Sequence, residues 1–159
     1  MKRIKSFEVD HTKLDEGFYI SRIDGDIITY DLRFCKPNTD VLLDNSTMHS
    51  MEHMLATFIR NSEESEQIVY FGPMGCQTGF YLLVRDKVKP ERVLEIVKKA
   101  LRDTVAYDGE VFGASKVECG NYRTLNLDKA KLAAIQFLDI LSEVDEILDY
   151  DAVNKKTVQ

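Results

Sequence analysis

The spacing of apolar and polar positions changes several times along this chain, and each change predicts an element. Ile27-Ile28-Thr29-Tyr30-Asp31-Leu32-Arg33-Phe34 is rich in β-formers, alternates over its second half and follows a turn signal at Gly25. It predicts a strand within a stretch of roughly 35 residues of strand character. After Pro37 the period lengthens. Met48, Met51, Leu55, Phe58 and Ile59 recur at helical spacing behind Asp44-Asn45-Ser46-Thr47, all good N-cap types, so a helix is expected over about 46–62. Two further strands, Ile68 to Phe71 and Phe80 to Val84, flank a turn-rich stretch from Gly72 to Gly79. Pro90 opens a second helix carrying Val93, Ile96, Val97, Ala100 and Leu101 on one side. A glycine-punctuated loop holds Gly109, Gly113 and Gly120. A third helix starts at Asn126 or Asp128 and runs toward Leu148.

Strands first, then strands mixed with helices, predict an α+β fold: an antiparallel β-sheet with helices packed on one face. The chain lacks repeats, low-complexity tracts and linkers rich in Pro, Gly or Ser, so residues 1–159 read as a single domain, with 149–159 as a frayed polar tail. A chain of 159 residues is long enough to bury a core without staples.

Composition narrows the function. Lys plus Arg is 21 and Asp plus Glu is 27, a net charge of −6, which argues against nucleic acid or an anionic membrane as the main partner. No stretch approaches the roughly 20 apolar residues of a spanning helix, and the basic start lacks the apolar run of a signal peptide. Cys35, Cys76 and Cys119 are odd in number and far apart, as expected of buried, catalytic or metal-bound thiols in a reducing cytoplasm.

The chemistry concentrates in His49-Ser50-Met51-Glu52-His53. Residues four apart lie one above the other on a helix, so His49 and His53 can present their imidazoles to one ion, with Glu52 on the same edge as a base. His-x-x-Glu-His is also the order used by one class of metalloproteases. A catalytic metal needs a third protein ligand and an open position, and Cys119, followed by Gly120, is the best candidate. Two imidazoles and a thiolate suit Fe(II), Zn(II) or Co(II) and disfavour Mg or Ca. Cys76, in a turn with Gly75 before it, fits an exposed general acid/base whose thiol ionises more readily beside a cation. Plainer readings stand beside these: histidines that merely pack, an inert buried Cys119 and a turn cysteine without a role. Arg33 fits either a substrate carboxylate or a strand surface. Cys35 reads as a small buried residue near the pocket. Two other metal readings are an inverted-motif metallopeptidase, which needs a further acidic ligand downstream, and a non-catalytic domain, whose site would be closed by four protein ligands.

Five segments carry a family resemblance: Ser6-Phe7-Glu8-Val9-Asp10-His11-Thr12-Lys13, Arg33-Phe34-Cys35-Lys36-Pro37-Asn38, His49-Ser50-Met51-Glu52-His53, Pro73-Met74-Gly75-Cys76-Gln77-Thr78-Gly79-Phe80-Tyr81 and Cys119-Gly120-Asn121-Tyr122. In kind and order they resemble the motifs of the LuxS-type S-ribosylhomocysteine lyases, over roughly residues 4 to 141. The resemblance implies a homodimer with active sites at the interface, in a protein whose cysteines already read as cytoplasmic. It implies Fe(II), replaceable by Zn or Co, on His49, His53 and Cys119, and a catalytic pair Glu52 and Cys76. It implies substrate contacts from Arg33, Ser6 and His11, the last two reaching in from the other subunit. The implied reaction releases homocysteine from S-ribosylhomocysteine and leaves 4,5-dihydroxy-2,3-pentanedione, the autoinducer-2 precursor of quorum sensing, while recycling a product of methyl transfer. One departure is Thr124-Leu125-Asn126, where many members carry a histidine. It touches an outer contact and no ligand.

Overall fold

The computed structural model describes residues 1–157. Three strand pairs follow the sequence pattern closely. β1 (Gly17–Asp24) and β2 (Ile27–Arg33) are joined at Gly25, whose φ of +60° is a left-handed turn that glycine adopts without strain. β3 (Ile68–Pro73) and β4 (Gly79–Arg85) form a second antiparallel pair, and β4 also pairs antiparallel with β2. Gly79 allows this junction, because a Cβ there would lie 2.1 Å from the Leu32 carbonyl oxygen. A two-residue strand, β5 (Leu148–Asp149), runs parallel to β1 and completes the order β3-β4-β2-β1-β5. The expected antiparallel sheet therefore holds for four strands and fails at the fifth, because the chain reaches that edge through a helical crossover rather than a hairpin.

The long helices are α2 (Asn45–Arg60), α3 (Pro90–Ala106) and α4 (Leu127–Ser142), preceded by a single turn, α1 (Lys5–Glu8). α2 begins where Asp44 accepts from the Thr47 amide, and α4 where Asn126 accepts from the Lys129 amide, so each start is a side-chain cap. Along the strands, successive side chains alternate between faces. Phe18, Tyr30, Leu32, Phe80, Leu82 and Val84 face the three long helices and join Met51, Met54, Leu55, Val97, Leu101 and Phe137 in one buried cluster. Each such fully buried side chain stabilises the fold by about 1.5–3 kcal/mol.

The C-terminal stretch departs from the expected frayed tail. α4 stops at Ser142, where the Glu143 amide turns back to Ile140, instead of running toward Leu148. β5 then leads into α5 (Tyr150–Asn154), capped by Asp149. Tyr150 and Val153 are buried with Val9, Leu14 and Tyr19 in a second, smaller cluster. Tyr19 alternates with Phe18, so this cluster covers the face opposite the long helices. Helices therefore cover the sheet mainly on one face, as expected, with α5 added on the other.

Candidate active site

α2 carries His49 and His53 one turn apart, their rings edge to face with centroids 4.6 Å apart. A loop brings Cys119 to them: the ligand atoms of His49, His53 and Cys119 all lie within 4.8 Å of one another, and Cys119 Sγ is 3.3 Å from His49 Nε2. The other ring nitrogens are engaged. His53 Nδ1 lies 2.6 Å from the Phe112 carbonyl, which can only accept. His49 Nδ1 lies 2.6 Å from Thr124 Oγ1, whose own proton goes to the Asn121 carbonyl, so this hydroxyl accepts as well. Both rings are thereby held as the Nδ1–H tautomer with Nε2 free toward the sulfur. Burial lowers the His49 pKa and the neighbouring His53 adds to it, against the pull of Glu52. The neutral form that ligates metal is favoured. Two nitrogens and a sulfur in this arrangement fit a divalent transition ion.

Besides the His53–Phe112 contact, the loop is fastened to α2 at three points. Ser46 Oγ donates to the Thr124 carbonyl, His49 meets Thr124, and the Asn126 amide donates to Ser50 Oγ. Gly113 lets the loop pass close by. Its φ is +69°, and a Cβ there would stand 3.3 Å from His53 Nδ1. Glu52 lies on the same helix, partly exposed, near enough for its charge to bear on His49.

Three of the other expected residues, His11, Arg33 and Cys76, gather around one cavity. Cys76 is exposed in the turn between β3 and β4. Its neighbour Gln77 takes a φ of +62°, unusual for a residue with a Cβ, and is tied down on every side. Its side chain donates to the Leu43 carbonyl and to Asn45 Oδ1, and its carbonyl accepts from the Leu43 amide, so the turn is anchored to the start of α2. His11, Arg33, Cys76 and Thr78 line one cavity of about 530 Å³. His11 lines it from the same chain, whereas the resemblance has it entering from a partner. Ser6 lies in α1, partly exposed, outside the lining of that cavity. Cys35 is buried beside the turn, its amide donating to the Thr78 carbonyl, and burial pushes its thiol pKa up.

Three residues around the cavity lie outside the expected site set. Asp31 and Thr78 hold Arg33, and Tyr150 holds Asp31. Asp31 and Arg33, two apart on a strand, were readable as a same-face pair of opposite charge. Nothing local pointed to Tyr150. Among the described residues, no helix is long and apolar enough to cross a membrane.

A family model described as S-Ribosylhomocysteinase (LuxS) matches residues 4–147. The S-ribosylhomocysteine lyase of Borreliella afzelii (strain PKo) is 42% identical over 151 residues, spanning 92% of this chain and 96% of the relative. That of Desulfotalea psychrophila is 41% identical over 152 residues, spanning 92% and 96%. That of Finegoldia magna is 39% identical over 148 residues, spanning 91% and 94%. With the match running through every element that builds the triad and the thiol cavity, this chain belongs to the LuxS family of S-ribosylhomocysteinases.

Proposed function

We infer that this chain is a metal-dependent carbon–sulfur lyase that cleaves S-ribosylhomocysteine to homocysteine and 4,5-dihydroxy-2,3-pentanedione. The observation that carries the reading is the His49–His53–Cys119 cluster, assembled from one helical turn and a loop far away in sequence, in a chain of this family. The ion we assign there is Fe(II), with Zn or Co able to substitute. When bound, it supplies a Lewis acid that polarises oxygens of the sugar chain.

The reaction moves a carbonyl from C1 to C2 to C3 of the ribose chain and then breaks the C5–S bond. Each migration removes a proton beside a carbonyl and returns one to the neighbouring carbon. In the elimination a proton leaves C4, its electron pair forms the C4–C5 double bond, and the C–S pair departs on sulfur as homocysteine thiolate. The enol left behind gains a proton at C5 and loses its hydroxyl proton to give the diketone. Two proton carriers are required, and Cys76 and Glu52 fill these roles. Cys76 is exposed at the cavity, on a turn whose fastening to α2 fixes its position. Glu52 sits on the helix of the triad.

Arg33 and His11, lining the cavity, hold the substrate's charged and hydroxyl groups. Ser6, outside the cavity of its own chain, reaches the substrate across the interface of a homodimer. The dimer is supported by the exposed apolar side chains of Ile4, Phe7, Val41 and Leu42, the last of which borders the cavity. We place the enzyme in the cytoplasm, where it recycles a product of methyl transfer and supplies the autoinducer-2 precursor for quorum sensing.

The test is anaerobic incubation of the purified protein with S-ribosylhomocysteine while free thiol is titrated. Thiol release that a chelator stops and Fe(II), Zn(II) or Co(II) restores is expected. Absence of release from metal-loaded protein overturns the assignment.

A further inference from the structure

Just beyond the stretch matched by the family, the chain returns to the thiol cavity from behind. Tyr150, 3% exposed in α5, donates 2.6 Å to Asp31 Oδ2. Asp31, 0% exposed, accepts from Arg33 twice, at Oδ1 from Nε (3.1 Å) and at Oδ2 from Nη2 (2.5 Å). Arg33, itself 1% exposed, has Nη1 left over, which donates to Thr78 Oγ1 at 2.7 Å and lies 3.9 Å from Cys76 Sγ. A continuous line of hydrogen bonds thus leads from the C-terminal helix to the one exposed thiol.

Every link before the sulfur joins groups almost wholly removed from water, where direction and charge count most. A guanidinium has five donors in a rigid fork, so fixing two of them on Asp31 fixes where the others point. Asp31 is fixed in turn by the tyrosine hydroxyl.

We propose that Tyr150 and Asp31 are positioning residues for Arg33, holding its guanidinium against the Cys76 thiol, so that the C-terminal segment helps to set the reactivity of that thiol. The proposal rests on Cys76 as a proton carrier, but the thiol's reactivity is measurable without turnover.

The groups facing this network are few. Tyr19 of β1 and Tyr81 of β4 bear on Asp31 and Arg33, and Ser21 lies beside the Tyr150 hydroxyl. The buried Cys35 is near enough to feel both Arg33 and Cys76, and Thr78 Oγ1 lies 3.0 Å from the Cys76 sulfur. Burial pushes Tyr19 up to about 12 and raises Tyr81 and Tyr150 also, so all three stay protonated while an ordinary cysteine, near 8.5, titrates. His11 faces the same cavity and is common to every variant compared.

The experiment follows carbamidomethylation of Cys76 by iodoacetamide against pH in the full-length Zn(II)-loaded protein, resolved by peptide mass spectrometry. Tyr150→Phe, which removes one oxygen, is expected to displace the rate curve upward by about half a pH unit, a roughly threefold slower reaction at neutral pH. Arg33→Gln displaces it further. Val153→Ala thins the packing of the same helix without touching the network and leaves the curve in place. A Tyr150→Phe curve coincident with wild type, in a protein of unchanged circular dichroism, overturns the proposal. So does an equal displacement in Val153→Ala. A displaced Tyr150→Phe curve in a protein that releases no homocysteine sustains the positioning role and counts only against the lyase assignment.

Discussion

The His49–His53–Cys119 triad hangs from one helix and a loop, whereas the thiol cavity is fixed to the sheet by a buried ion pair. In the triad, the fastenings of the two histidines are neutral: two imidazole N–H groups on a carbonyl and a hydroxyl. In the cavity, the fastening is an ion pair, Asp31 with Arg33, at 0% and 1% exposure. Within that pair, burial opposes the charge on Arg33, but Asp31 outweighs it and holds the arginine pKa above its ordinary value. The two halves should therefore fail differently. Damage to the triad empties the metal site and leaves the fold, while damage to the ion pair strikes the fold itself.

His53→Ala is the sharpest cut on the metal side. Metal content measured by mass spectrometry and homocysteine release should both be lost, with the melting curve of the metal-free protein little changed. Cys76→Ala and Glu52→Gln should each lower turnover about 10²–10⁴-fold while metal content stays intact. Loss of metal in either would make that residue a ligand. On the other side, Arg33→Ala leaves the Asp31 carboxylate buried without its cation. A cost of about 3–5 kcal/mol is expected in urea unfolding, far above what the triad variant shows. Thr124→Val removes the hydroxyl behind His49 and should weaken metal affinity about 10–100-fold in a chelator competition, with the unfolding midpoint nearly fixed.

The smallest effect concerns the joint between α2 and α4. Asp44 is held down to about 2, first by Lys129 and then by the Thr47 amide at the head of α2. Its folded pKa lies below the unfolded value near 3.9. Its contribution is therefore present above about pH 4 and is lost as pH falls toward 2. Asp44→Asn, still an N-cap, should flatten that part of the acid unfolding curve and alter little at neutral pH.

Sequence pattern revealed the metal half better than the cavity, for a physical reason. His49, Glu52 and His53 share one helix, where spacing alone fixes direction. The strand and helix periods of residues 27–106 are likewise local, and the elements they predict match the observed ones to within a few residues. Cys119 could be reached by chemistry, since an open metal site lacks a ligand until it is added. The partners of Arg33 were harder. Asp31 is close in sequence, but Tyr150 touches it across 119 residues, and no period or motif marks a contact of that kind. The same long reach hid β5 and α5, which form because Tyr150 and Val153 find Val9, Leu14 and Tyr19 waiting on the far face.

The short parallel clasp of β5 on β1 has a further consequence. Pairing at Tyr19 and Ile20 covers backbone at the outer margin of the sheet. A chain cut back to residues 4–147 would uncover that margin, offering unpaired amides and carbonyls to neighbouring molecules. The last few turns of this protein thus guard its solubility as well as its tyrosine contact.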